Sequence, residues 1–178
     1  MSAYAEDSFT SEPVIRSAVI SWCLIWNAST GNFRAYHYFP IGIQQHSNTV
    51  SLFKKARELG VDYVLAKEIQ GSNMESILER MDTFLYHCRD AYITVCTDVF
   101  SSAFAPGVSA PQSLGLDPEV VLPLLKHVLR TRKVRGFDIC EISPRFDQDN
   151  TTANLGAVII FAVINTLCRM NGLEYAAE

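Results

Sequence analysis

Scarcity narrows the possibilities for this chain before any motif does. Its 178 residues hold five cysteines, an odd number with no Cys-x-x-Cys pair and no regular spacing. That excludes a secreted disulfide framework and a zinc ribbon, and it predicts a reducing, cytoplasmic setting. Charge is sparse at 19%, with 19 acidic against 15 basic residues and a net charge of -4. Nucleic-acid and anionic-membrane binders draw their affinity from massed Lys and Arg, so neither class fits. Residues 14–26 are apolar but include Arg16 and fall short of the roughly 20 residues that cross a bilayer. Residues 1–13 are acidic and polar, unlike the basic start of a signal peptide, so no targeting segment is expected. No Ser/His/Asp triad, Walker loop or Gly-x-Gly-x-x-Gly run can be traced.

What remains is a chain of 48% hydrophobic residues, enough for one domain with a real core. Residues 14–26 read as a helix or as a buried strand. From residue 35 the pattern alternates. A β-rich stretch at 36–43 precedes a helix capped by Asn48 and stopped at Gly60, and a short strand lies near 63–66. Asn73 caps a helix from 74 to about 88, where Ile77, Leu78, Met81, Phe84 and Leu85 recur at helical spacing. A strand at 92–95 follows. Asp117 before Pro118 starts a helix to about Thr131, with Pro123 positioned to bend it. A strand at 136–142, a polar loop at 143–150 and a long apolar helix at 151–170 complete the series. Strands separated by helices of this length imply right-handed crossovers. The fold class expected is α/β, a three-layer α/β/α arrangement with a mainly parallel sheet.

The segment YITVCTDVFSSAFAPGVSAPQSLG, residues 92–115, concentrates the chemistry. Cys96 and Asp98 stand two apart at the end of a strand, so both side chains leave one face and can converge on one ion. The Ala105-Pro106-Gly107 and Ala110-Pro111 stretches make a stiff loop at the strand's C-terminal end, where open α/β sheets place their ligand crevices. Glu141 lies near the end of the next strand and can face the same crevice. Asp138 falls on the opposite face and is expected to pair locally. The basic cluster Arg130, Arg132, Lys133 and Arg135 reads as the complement of a helix dipole rather than a phosphate site. Cys88, Cys140 and Cys168 read as core or helix residues, and His37, His87 and His127 as packing residues.

The stretches CTDVFSSAFAPGVSAP and FDICEISPRFDQDNTTA resemble the ureohydrolase superfamily of arginase, agmatinase and formimidoylglutamase. The forms APGVSAP and SPRFDQDN, with the upstream HYFPIGIQQHSNT, are most similar to the formimidoylglutamase branch. The resemblance runs over residues 32–170, leaving residues 1–31 as an unassigned N-terminal segment and 32–178 as the C-terminal part of an arginase-like domain, incomplete on its N-terminal side. It implies a binuclear Mn²⁺ cofactor with Cys96 and Asp98 among the ligands. Glu141 becomes the carboxylate that meets the guanidinium or formimino group, through two parallel hydrogen bonds to a planar cation. Gln44 and His46 fall in a loop that the resemblance places near the glutamate part of a substrate.

Two departures qualify this. Cys96 stands where the family carries a carboxylate, and a thiolate shifts preference from Mn²⁺ toward Zn²⁺, Fe²⁺ or Co²⁺. The family's other ligands, a His and an Asp-x-His-x-Asp cluster on earlier strands, have no counterpart in these residues. The resemblance therefore implies hydrolysis of N-formimidoyl-L-glutamate to glutamate and formamide in histidine breakdown, by a chain expected to be truncated and inactive as it stands. The alternative is a non-catalytic α/β binding or oligomerisation module. The partners expected are a small amidine or guanidine substrate and further copies of the chain, with neither nucleic acid nor membrane.

Overall fold

A computed structural model describes residues 24–26, 36–69 and 73–173. Of the N-terminal segment 1–31, only strand β1 (Leu24–Trp26) falls among them, so the helix-or-strand choice for 14–26 lies mostly outside the described residues. β2 (Tyr36–Tyr38) and β3 (Ile41–Ile43) divide the stretch expected as one strand. Pro40 lies between them and has no N–H to continue a ladder. Thr49 rather than Asn48 holds the N-cap position of α1 (Val50–Glu58), without a side-chain cap bond, and the Asn48 amide donates instead to the Gln44 carbonyl at 2.8 Å. Gly60 closes it at φ +67°, a left-handed turn that glycine adopts without strain.

β4 (Val64–Leu65) pairs in parallel with β3 and runs straight into the single-turn helix α2 (Ala66–Ile69). α3 (Met74–Tyr86) buries Ile77, Met81 and Leu85, the i, i+4, i+8 row foreseen from the sequence. Arg80 on α3 reaches Asp62 at 2.7 Å, the Tyr63 carbonyl at 2.7 Å and Glu68 at 3.4 Å, tying α3 to β4 and α2. β5 (Ala91–Cys96) alternates in burial, with Ile93 and Val95 fully inside and Tyr92 exposed on the other face.

α4 (Pro118–Arg130) starts as the sequence dictates, with Pro118 in its first turn and the Asp117 carboxylate accepting from the Glu119 amide at 2.7 Å. It continues through Pro123 and buries Val121, Leu124, Leu125, Val128 and Leu129. Each such side chain withdrawn from water contributes about 1.5–3 kcal/mol. β6 (Val134–Cys140) is parallel to β5, with Thr94 opposite Asp138 and Cys96 opposite Cys140. The four-stranded sheet runs β2-β1-β5-β6, with β1 antiparallel to both its neighbours.

α5 (Thr151–Met170) is long and apolar enough to cross a membrane by length and composition. It packs here against α4 and the sheet through Thr152, Gly156, Ile159, Val163 and Thr166. Gly156 lets the helix come close there: a Cβ would sit 2.8 Å from Ile142 Cδ1, the tip of a side chain that could turn aside. Its outer face leaves Val158, Phe161 (68% exposed), Ile164 (54%) and Leu167 open.

Within the basic cluster, Arg130 lies in the last turn of its own helix, α4, as expected, and its neighbours reach other elements. Arg132 donates to the Met170 carbonyl of α5 at 2.6 Å, and Lys133 donates to the Leu85 carbonyl of α3 at 2.5 Å. Arg135 pairs with Asp90 at 2.7 Å.

Candidate amidine site at the ends of β5 and β6

β5 ends at Cys96, so Asp98 is not on the strand as expected but in a short 3₁₀ turn, Thr97–Val99. The turn carries the convergence that strand geometry was expected to give. The Cys96 thiol donates to Asp98 Oδ1 at 2.7 Å, and both residues are buried. Thr97 fastens this end to the next strand by donating to the Cys140 carbonyl at 2.9 Å. Cys140, read from sequence as an unpartnered core residue, sits directly across the ladder from Cys96. The facing Cys140 thiol, burial and the neighbouring Asp98 together raise the Cys96 pKa and keep its proton on sulfur. Asp98 is also pushed up, chiefly by burial and further by the Glu141 charge, against the opposing pull of the Cys96 bond.

Glu141 stands one residue past β6, at φ +65°. A non-glycine residue in the left-handed region costs about 1 kcal/mol or more and calls for surroundings that hold it there. The Ala-Pro-Gly loop supplies them. The Ser109 hydroxyl donates to Glu141 Oε2 at 3.0 Å, and the Ser143 amide donates to the Gly107 carbonyl at 2.8 Å. Gly107 in turn donates its amide to the buried Thr152 hydroxyl at 2.7 Å. The Asp147 carboxylate accepts from the Thr152 and Ala153 amides at 2.8 and 2.9 Å and so caps α5. Gly107 must be glycine, since a Cβ would lie 2.3 Å from the Asp147 Cβ.

A second set of bonds braces the other side of the loop. Gln44 donates to the Leu114 carbonyl at 2.6 Å, Ser47 to Gln112 Oε1 at 2.9 Å, and Gln112 to the Ala110 carbonyl at 2.9 Å. Gln44 is therefore a buried brace, while His46 in the same turn is exposed. Asp138 pairs locally as expected, with Thr94 at 3.3 Å and with the Tyr92 hydroxyl. His127 lies against Asp82 at 2.6 Å, away from the site.

Ser109, Thr152, Asp147 and Cys140 escaped the sequence reading. For Ser109 and Asp147 a signal existed, in the hydroxyl between the two Ala-Pro units and in the carboxylate five residues before Thr152. Cys140 becomes visible only once the register of β6 on β5 is known.

The donor set can be weighed against a binuclear metal centre. Manganese favours about six oxygen-type ligands and zinc about four. Cys96 and Asp98 offer two, joined by a shared proton, and no group of three or more His, Cys, Asp or Glu side chains gathers around an ion position among the described residues. These residues do not by themselves fit such a centre.

The parallel pairing of β5 with β6 and the helices packed beside them belong to an arginase-like α/β fold. Solved structures share it: formimidoylglutamase from Bacillus subtilis superposes with a TM-score of 0.68 at 21% identity, over 72% of this chain and 40% of that one. Agmatine ureohydrolase of Thermoplasma volcanium gives 0.65 at 26% identity, over 77% and 44%. The Arginase family profile matches residues 6–165, and the chain belongs to that family. It is similar to formimidoylglutamases, 55% identical over 138 residues to that of Clostridium tetani (strain Massachusetts / E88) and 42% over 131 residues to that of Legionella pneumophila (strain Paris). Those alignments cover 78% and 74% of this chain but 41% of each relative, so the chain spans about two fifths of their length.

Proposed function

We propose that the chain carries the substrate-clamping part of a formimidoylglutamase-type hydrolase, which acts on the linear amidine C–N bond of N-formimidoyl-L-glutamate. The observation that carries this is the Glu141 carboxylate, held by Ser109 at the strand ends beside buried Asp98. A fixed carboxylate matches a planar amidinium through two parallel charge-assisted hydrogen bonds, and so orients the carbon that water attacks. In this reading His46, exposed on a turn braced to the same loop, would meet the glutamate carboxylates. The reading supposes a reducing cytoplasm, in which the thiols at the site stay free.

The family's binuclear manganese would supply the activated water, but Cys96 and Asp98 alone cannot fix two ions. The chain by itself is therefore expected to bind the substrate without hydrolysing it, arginine or agmatine. Two measurements test this. Titration with N-formimidoyl-L-glutamate should move the NMR signals of Glu141, Ser109 and the 105–111 loop, and Glu141→Gln should abolish the shifts; a silent wild-type titration refutes the reading. Release of formamide that depends on added Mn²⁺ and vanishes in Asp98→Ala would overturn the expectation of inactivity.

A further inference from the structure

An exposed glutamate has three side-chain torsions, and the last is a broad one about which the carboxylate plane turns freely. Ordering such a side chain costs up to about 2 kcal/mol. Glu141 has lost much of that freedom before any ligand arrives. Its backbone is held at φ +65°, and one of its oxygens already accepts the Ser109 hydroxyl at 3.0 Å. Ser109 is itself placed by a rigid path, because Gly107 two residues earlier is pinned to Thr152 and packed against Asp147. A carboxylate oxygen offers two lone pairs, so the Ser109 bond occupies one on Oε2 and leaves one there and two on Oε1, at least one on each oxygen for a second partner.

From this we infer that Ser109 is a positioning residue: by fixing the plane of the Glu141 carboxylate, it makes the site selective for planar amidinium cations over rounded ammonium cations. The inference rests on the amidine-clamp reading above. The physical basis is a difference in what the two cations require. An amidinium gains its second hydrogen bond only if its plane and the carboxylate plane coincide, whereas an ammonium is a point charge that meets an oxygen from any side. Loss of Ser109 releases the plane, which penalises the first cation and leaves the second almost untouched. Ser109 is exposed and its hydroxyl has Glu141 as its partner, so its removal leaves the packing of the loop in place.

The test uses the full chain and two small probes, acetamidinium and ethylammonium chloride, with affinities read from NMR shifts of the Glu141 and Ser143 amides. In the wild-type chain acetamidinium should bind more tightly. Ser109→Ala should weaken acetamidinium about fivefold, the size of one ordinary hydrogen bond, and change ethylammonium by less than about twofold. Ser109→Thr, which keeps the hydroxyl, should restore the preference. Equal loss of both probes would show a merely structural role and overturn the inference, as would a Ser109→Ala chain indistinguishable from wild type; in both cases the clamp reading survives if Glu141→Gln abolishes acetamidinium binding. Failure of acetamidinium to shift Glu141 in the wild-type chain defeats the clamp and the inference together.

Discussion

Replacing Gly107 by alanine sets a methyl group against the start of α5. The added Cβ would lie 2.3 Å from the Asp147 Cβ and 2.5 Å from its Cα, whereas carbon atoms rest at about 3.5 Å or more, so Asp147 must retreat by about 1.2 Å. The retreat strains the two bonds by which Asp147 caps α5, worth about 1 kcal/mol. It also stretches the buried bond from Gly107 to Thr152, worth about 1 kcal/mol more, and adds an overpacking cost of about 1–3 kcal/mol. A destabilisation of about 3 kcal/mol lowers the melting midpoint of a chain this size by about 6–12 °C. Gly60→Ala provides the control. Nothing lies within 4 Å of that site, but its φ of +67° makes alanine cost about 1 kcal/mol, or about 2–4 °C. Thermal melts of the two variants beside wild type decide the matter. If Gly107→Ala melts at or above Gly60→Ala, the tight seating of the loop on α5 is wrong, and with it the account of how Ser109 is placed.

Three further outcomes follow from the same contacts. The Asp147 carboxyl is held below its ordinary value of 3.8: desolvation works to raise it, and the bonds from Thr152 and Ala153 outweigh that. Its folded pKa being depressed, its stabilisation is present above about pH 4 and is lost as pH falls through the lower folded value. The gap in melting midpoint between wild type and Asp147→Asn should therefore close on acidification from pH 6 to 2, and a gap independent of pH refutes the assignment. Metal binding, measured by calorimetry, should be weak and should favour Zn²⁺ or Co²⁺ over Mn²⁺ through Cys96; tight Mn²⁺ binding indifferent to Cys96→Ser would sink that expectation. Finally, the open face of α5 around Phe161 and Ile164 is expected to drive self-association, and sedimentation as a single species near 19.9 kDa with a sharp two-state melt would count against it.

The helices were legible because their signals are local. Asp117-Pro118 announces α4, and the apolar run after Asn150 announces α5 with both bounds as expected. What failed was non-local or short. Asn48 looks like a cap, yet its amide is drawn to Gln44 and Thr49 takes the cap position. The four residues of α2 carry too little periodicity to read. At the candidate site, Cys96, Asp98 and Glu141 were singled out by their motif, but Asp98 reaches the thiol through a turn rather than along a strand, and the sequence gives no spacing rule for such a turn. Gln44 was expected near the substrate; what the sequence did not announce is its buried bond to Leu114, seventy residues away. The Ser109 and Glu141 contact spans 32 residues and depends on a loop conformation fixed by Thr152, which only packing reveals.

The turn at Thr131–Lys133 has a consequence for how this chain tolerates changes of length. Arg132 is in the left-handed region at φ 60°, its side chain and that of Lys133 hold the ends of α5 and α3, and the Lys133 carbonyl accepts from Ala91 at 2.8 Å. Just beyond it, Gly136 lies beneath the Tyr92 ring, where a Cβ would come within 2.5 Å. A residue inserted before Val134 cannot be absorbed by sliding β6 along β5, because Arg135 would then take the glycine's place under the ring and every later side chain would change face. It would have to bulge out of the turn, breaking the grip on two helices at once. The count of residues from α4 to Glu141 is thus set by a ring and a hydrogen atom near the far end of the strand from the site.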